Sequence, residues 1–320
     1  MQENVQAALI ILFNHNYEAN LERLDKIYGD RFSNIFYIMP FYTGTRSDVI
    51  PVYENSFYFQ GYISKALGQI KNAQYQHYIV IGDDLLLHPT INEHNYQQYF
   101  EVNAETAFIP GFFLLNDVEE TRPNRPMAPF WPWVLKAIDF NIEEGGIEVK
   151  KFLPTYAEAL ALLKRHGIIF TPDVPAKSYY YKGYLAPTSP ENQQYKKVYG
   201  QLLKKIAISI ARKKKISYPL VGSYSDCVVI PHKYVDEIIK YYGIFAALNL
   251  FVEIALPTGL ALAVPKIISE DDTRMKGVTY WAPKEFAEFE KKYNNSLDNL
   301  SNNFPADALY IHPVKLSKWK

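Results

Sequence analysis

The spacing of apolar positions switches between two periods along the first third of the chain, and each switch marks an element. Ala7 to Phe13 (AALIILF) is an unbroken apolar run bounded by polar residues, which predicts a strand buried on both faces. From Tyr17 to Tyr28, Leu21, Leu24 and Ile27 fall at helical spacing, and Gly29 supplies a stop. Asn34 to Pro40 (NIFYIMP) predicts a second strand and Val49 to Tyr53 a short third. Tyr58 to Ile70 predicts a helix with Ile63, Ala66, Leu67 and Ile70 on one face. His77 to Ile81 (HYIVI) is a fourth strand that stops abruptly at Gly82-Asp83-Asp84.

This order predicts an α/β fold, an open mixed, mainly parallel sheet flanked by helices. Ligands of such sheets sit outside the carboxyl ends of the strands. Asn14, His15 and Asn16 after the first strand, Phe41 and Tyr42 after the second, and Asp83 and Asp84 after the fourth are therefore expected to converge.

Later patterns are less regular. Ala107 to Leu115 reads as a strand, and Arg122 to Trp133 as a proline-rich loop carrying Trp131 and Trp133. Thr155 to His166 is an amphipathic helix ended by Gly167. Residues 172–215 read as an insertion or lid, with prolines, Tyr179, Tyr180, Tyr181 and Tyr184, then a helix from Tyr195 ending in Arg212, Lys213, Lys214 and Lys215. That basic end suits the helix dipole and solvent, and its sharper reading is a peripheral contact with an anionic membrane surface. Ile244 to Val264 approaches the length of a membrane span but contains Asn249, Glu253 and Pro257. A carboxylate near the middle of a span costs about 3 kcal/mol, so a buried helix followed by a core strand is expected instead.

Composition narrows the class. Of 320 residues, 48% are hydrophobic and 15% aromatic, enough for a large core. Lysine plus arginine equals aspartate plus glutamate at 34 each, which gives no electrostatic case for nucleic acid. Cys227 is the lone cysteine, so a reducing compartment is expected, and the first residues lack the basic segment and cleavage site of a signal peptide. A cytoplasmic protein follows as the expectation, with the basic helix end as a contact at a membrane.

The chemistry concentrates in YIVIGDDLLLHP, Tyr78 to Pro89. Two adjacent carboxylates after a buried strand are costly unless a cation or several donors compensate them. Oxygen-rich sites of this kind suit magnesium or manganese with a substrate's phosphates, and the competing reading is a turn in which one aspartate caps the next element. A strand followed by Gly-Asp-Asp and a further apolar run resembles the acidic metal-binding motif of GT-A glycosyltransferases. That motif commonly reads Asp-x-Asp, and here Gly82 stands where the family usually has its first acid.

The resemblance implies a single GT-A-like, Rossmann-like catalytic domain over 1–320. Its nucleotide-sugar-binding half is 1–115, its insertion or lid 172–215, and its acceptor half 216–320 with a C-terminal metal-ligand segment. It implies Asp84 and His312 as ligands of Mn2+ or Mg2+. Asp83 would lie at the ribose, Gly222 in a loop beside the donor sugar, and Asn14, His15 and Phe41 on the nucleotide. Lys315 and Lys318 would neutralise the leaving diphosphate. In inverting members a carboxylate at the head of a helix takes the acceptor proton; Glu253 answers to it. The usual Glu-Asp pair is missing because Ile254 follows, and Asp226 is the substitute.

The implied activity is transfer of a sugar from a nucleotide-sugar donor to a carbohydrate, glycolipid or other hydroxyl acceptor, with inversion. Trp131, Trp133 and the Tyr179 to Tyr184 cluster would suit a sugar acceptor, and plain packing is their other reading. A sugar-phosphate nucleotidyltransferase normally carries a glycine-rich basic loop after the first strand, and FNHNYEAN has none. A non-catalytic interaction protein with a degenerate transferase fold is the other alternative, kept open by Gly82. Glu270-Asp271-Asp272 reads as a loop, with a flap over the nucleotide as its other reading.

Overall fold

In the computed structural model, β1 (Gln6–Leu12) is an interior strand buried on both faces from Ala7 to Leu12, as its unbroken apolar run requires. Residues 6–115, 136–143, 147–173, 204, 208, 211–280 and 283–320 are described. Odd positions of β1 (Ala7, Leu9, Ile11) enter one core cluster and even positions (Ala8, Ile10, Leu12) another, the period-two alternation of a strand. Helix α1 (Leu21–Tyr28) covers the first face through Leu21, Leu24 and Tyr28. Strands β2 (Ile35–Pro40) and β3 (Val49–Val52) extend the sheet in parallel. Helix α2 (Phe59–Ile70) covers the second face through Tyr62, Ile63, Ala66 and Leu67.

Strand β4 (Tyr75–Gly82) lies parallel to β1 on its other side. Then come β5 (Leu86–Leu87), α3 (Tyr96–Phe100), β6 (Thr106–Phe108), α4 (Ile147–Lys150) and α5 (Tyr156–Lys164). Thr155 and Glu158 close a capping box at the head of α5. Strand β7 (Cys227–Pro231) leads into α6 (Val235–Ala247) and α7 (Val252–Ala263). Strands β8 (Lys266–Ile268) and β9 (Lys276–Thr279), helices α8 (Pro283–Lys292) and α9 (Leu297–Asn302), and strand β10 (Ala308–His312) complete the order.

The main sheet has seven strands in the order β3-β2-β1-β4-β7-β6-β8, and a second sheet the order β5-β10-β9. In the main sheet β7 alone runs against the rest, antiparallel to both β4 and β6. The fold is thus α/β with a mixed, mostly parallel sheet flanked by helices, as the sequence predicts.

Two expectations are corrected. Ile244 to Val264 is not a helix followed by a strand. Asn249 adopts a left-handed conformation (φ 54°) after α6, and α7 then runs through Pro257, so the strand comes only at β8. The expected strand over Ala107 to Leu115 is β6 alone, with Phe113 in an isolated bridge to Gly222. Among the described residues no helix is long and apolar enough to cross a membrane. In the basic stretch, Lys214 pairs with Asp139 (3.7 Å) and Lys215 with Asp173 (3.2 Å). Trp131, Trp133 and the Tyr179 to Tyr184 cluster lie outside the described residues.

Candidate functional site

The carboxyl end of β4 is fixed by its neighbours' main chains. The Asp83 amide donates to the Leu12 carbonyl (2.9 Å), the Gly82 amide to Asp226 (3.2 Å), and the Leu85 amide closes a turn onto Gly82 (3.1 Å). Because β7 is antiparallel, with Cys227 opposite Ile81, its first residue lies beside the last of β4. Asp226 therefore reaches the same sheet edge as Asp83 and Asp84, although it precedes its strand and they follow theirs.

The second sheet brings the fourth group. β10 pairs antiparallel with β5, Ile311 opposite Leu86, and the Val314 amide donates to the Asp84 carbonyl (2.6 Å). This register sets His312 against Asp84. His312 Nε2 is 3.4 Å from Asp84 Oδ1, and Nδ1 is 3.5 Å from Asp226 Oδ2.

Glu253 arrives through a consequence of Pro257. In an uninterrupted helix the residue at 257 would donate its N–H to the Glu253 carbonyl, but proline has none. The Ser223 amide donates there instead (2.9 Å). Thr258 Oγ1 fastens the same loop by accepting from the Val221 amide (3.1 Å) and donating to the Val221 carbonyl (3.2 Å). Docked this way, the loop aims the Ser225 amide at the Glu253 carboxylate (2.9 Å). Gly222 exchanges both main-chain hydrogen bonds with Phe113.

The electrostatics follow from burial and crowding. Asp83 is pushed up to about 7, first by burial and then by the Asp84 charge, while Asn20, 3.3 Å from its Oδ2, opposes the shift. Asp226 and Glu253 are both raised by burial, Glu253 further by Asp226, with His312 opposing in each case. Burial alone would lower His312, but the facing carboxylates, Asp226 foremost, outweigh it and hold the imidazolium up to about 9. Four carboxyl groups, Asp83, Asp84, Asp226 and Glu253, are thus gathered around one charged imidazole at this strand end.

The other predicted residues are placed around this centre. Asn14 and His15 are exposed on the segment after β1, with the Asn14 amide near Asp83. Phe41 is 59% exposed in a left-handed conformation (φ 54°), its carbonyl accepting from Asn16 Nδ2 (3.0 Å). Its ring meets Tyr53 edge-on at 5.8 Å, and Tyr53 is 68% exposed. Lys315 lies over the Phe286 ring (5.5 Å), and Lys318 reaches Glu290 (4.0 Å). Their described contacts are thus to α8. Asn20 and the Ser225 amide, which hold the two buried acids, have no sequence signature beyond their neighbourhood. In the loop over 270–272, Glu270 is buried and accepts from the Tyr310 hydroxyl.

Among the described residues no three His, Cys, Asp or Glu side chains form a ready-made metal cage. The facing donors, a carboxylate oxygen of Asp84 and a ring nitrogen of His312 once the imidazolium has given up its proton, fit in kind a hard or borderline divalent ion whose shell is completed by water and phosphate.

No family model matches the sequence, and no curated protein matches it. Among solved structures, the chain is similar to the mannosyltransferase Ktr4p from S. cerevisiae, at 9% sequence identity and a TM-score of 0.37, over 85% of this chain and 70% of that one.

Proposed function

We propose that this protein is a glycosyltransferase that moves a sugar from a nucleotide-sugar donor to a hydroxyl acceptor with inversion, with the help of Mn2+ or Mg2+. One observation carries the reading: Asp84 and Asp226 flank the His312 ring at the carboxyl end of β4, beside Glu253 at the head of α7. Ligands of open α/β sheets bind at that edge.

In this reading Asp84 and His312 hold the metal ion. When bound, it supplies positive charge against the leaving diphosphate. Asp83, buried beside Asn20, takes the ribose hydroxyls. Asn14, His15 and the exposed ring of Phe41 border the nucleoside, and the Gly222 loop borders the donor sugar. The Asp226–Glu253 pair receives the proton of the attacking hydroxyl. Burial raises both carboxyls, and a base is most effective when its pKa lies near the working pH. The Asp226 charge raises Glu253 further, which favours Glu253 as the group that ends up holding the proton. The acceptor is a carbohydrate, glycolipid or other hydroxyl compound, and the setting is cytoplasmic or at a membrane surface.

A second reading, a non-catalytic interaction protein, is favoured by one observation: both ring nitrogens of His312 already face carboxylates of the chain itself. Thermal-shift titration with nucleoside diphosphates and sugar nucleotides, with and without manganese, separates the two. Stabilisation by a sugar nucleotide that needs manganese supports the transferase. No metal-dependent stabilisation across the panel leaves the non-catalytic reading in its place.

A further inference from the structure

A cavity of about 400 Å3 lies between α1, α9 and the segment after β10. It is lined by Arg23, Lys26, Arg31 and Lys320, with Asp298 and Ser301 opposite. None of the residues assigned above to sugar transfer lines it.

The two arginines are held rigidly. Arg31 donates Nε to the Ile91 carbonyl (2.7 Å) and Nη2 to the His88 carbonyl (2.7 Å), and its guanidinium lies over the Tyr28 ring (4.9 Å). Arg23 donates Nη1 to the carbonyls of Leu316 and Trp319. All of these acceptors are neutral, so hydrogen bonding is partly satisfied while the positive charge is not. Among the described residues Arg23, Lys26 and Arg31 form no ion pair with a carboxylate. Buried or half-buried charge without a counter-charge is unfavourable, and burial correspondingly depresses Arg31. Four cationic side chains face one acidic one, and the balance stays positive even with a carboxylate at the Lys320 main chain.

We propose that this cavity is a second binding site, for a compact oxyanion of the phosphate type, held by the free edges of the Arg23 and Arg31 guanidinium groups and closed by Lys26 and Lys320. Each guanidinium carries five N–H donors in a planar fork, more than the carbonyls consume, and such forks match tetrahedral oxyanions. The fixed carbonyl contacts hold the forks in place before the anion arrives.

The test uses the full chain in EDTA, so that no metal-dependent binding at the strand ends contributes, and inorganic phosphate as the titrant in calorimetry at constant ionic strength. The expected result is saturable binding that Lys26→Gln weakens roughly five-fold, the effect of one partly exposed charge. Asp298→Asn removes the opposing carboxylate and strengthens binding by a similar factor. Ser301→Trp, which fills the cavity from an exposed position, abolishes it, and Asp84→Asn leaves it unchanged. Arg23 and Arg31 are left intact because they also cap main-chain carbonyls. Absence of saturable binding, or binding indifferent to Lys26→Gln, Asp298→Asn and Ser301→Trp in folded protein, overturns the proposal.

Discussion

His312 Nε2 stands 3.4 Å from Asp84 Oδ1, a contact set by the pairing of β10 with β5 immediately after the Gly82-Asp83-Asp84 turn. The other ring nitrogen, Nδ1, lies 3.5 Å from Asp226 Oδ2, so His312 keeps a carboxylate partner when Asp84 is neutralised.

This arrangement predicts the behaviour of Asp84→Asn. In metal-free buffer the variant should unfold within about 1 kcal/mol of the parent, because the lost ion pair is partly solvent-exposed and His312 keeps Asp226. With manganese and a sugar nucleotide, the parent should gain a metal-dependent rise in Tm that the variant lacks, and transfer activity should fall 100-fold or more, on the order expected for losing an electrostatic anchor. An unaltered metal-dependent rise in the variant would remove Asp84 from the metal site.

The Asp226–Glu253 pair makes a different forecast. Glu253 is held well above the usual carboxyl range by burial and by Asp226, and Gln matches its shape while removing its capacity to take a proton. Glu253→Gln should therefore keep the parent's stability and its affinity for the nucleotide while slowing turnover by roughly 100- to 10,000-fold, the range for loss of general-base catalysis. Asp226→Asn should lower turnover similarly but also cost stability, since it removes a carboxylate facing the charged His312. Comparing kcat with donor KM for both variants checks this; a rise in KM alone would make the pair a binding element and not the base.

How far such a site can be read from a sequence depends on which contacts make it. Asp83 and Asp84 announce themselves because a buried apolar run ends on them and strand-end positions converge in an open sheet. His312 and Asp226 are harder. Their approach depends on an antiparallel β7 and on a second sheet of short strands, and β5 has only two residues, too few to leave a periodic signal. The misjudged segment is instructive too. Pro257 looks like a helix breaker, yet the carbonyl it leaves open is taken by Ser223, a residue distant in sequence. Local propensity has no access to that partner. The Asn249 break is likewise invisible, because asparagine tolerates the left-handed conformation without advertising it.

Away from the site, His77 predicts an acid-sensitive core. It is fully buried beneath α3, with Nδ1 2.8 Å from the Tyr96 hydroxyl and Nε2 3.2 Å from the Thr106 carbonyl. The carbonyl can only accept, so Nε2 carries the proton and Nδ1 accepts from Tyr96. Burial lowers its pKa from 6.5 to about 4. The unfolded chain therefore binds more protons than the folded one between those values, and stability rises with pH across that window. The contribution is complete above about pH 6.5 and is lost progressively as pH falls towards 4, by roughly 3 kcal/mol in all. His77→Gln should flatten the pH dependence of urea unfolding between pH 4 and 6.5 while lowering stability at neutral pH by about 1–3 kcal/mol. A variant with the parent's full acid slope would show that the slope comes from other groups.

The last prediction concerns what keeps His312 in place. Gly277 on β9 lies in the ladder opposite Tyr310 of β10, two residues before the histidine. A methyl group at 277 would sit 2.2 Å from the Tyr310 ring, far inside contact distance. That ring has nowhere to retreat, because it is fully buried and its hydroxyl donates to the buried carboxylate of Glu270. Gly277→Ala must therefore push β9 and β10 apart or tilt the ring, at a cost of about 1–3 kcal/mol. If His312 is held through β10, the same substitution should weaken manganese-dependent nucleotide binding, although residue 277 touches neither metal nor ligand. Gly277→Ala paired with Tyr310→Phe provides the control, since Phe frees the ring from Glu270 and should return part of the lost binding. A loss of stability in Gly277→Ala with metal-dependent binding intact would mean that the Asp84 turn, not the β9–β10 pair, fixes the position of His312.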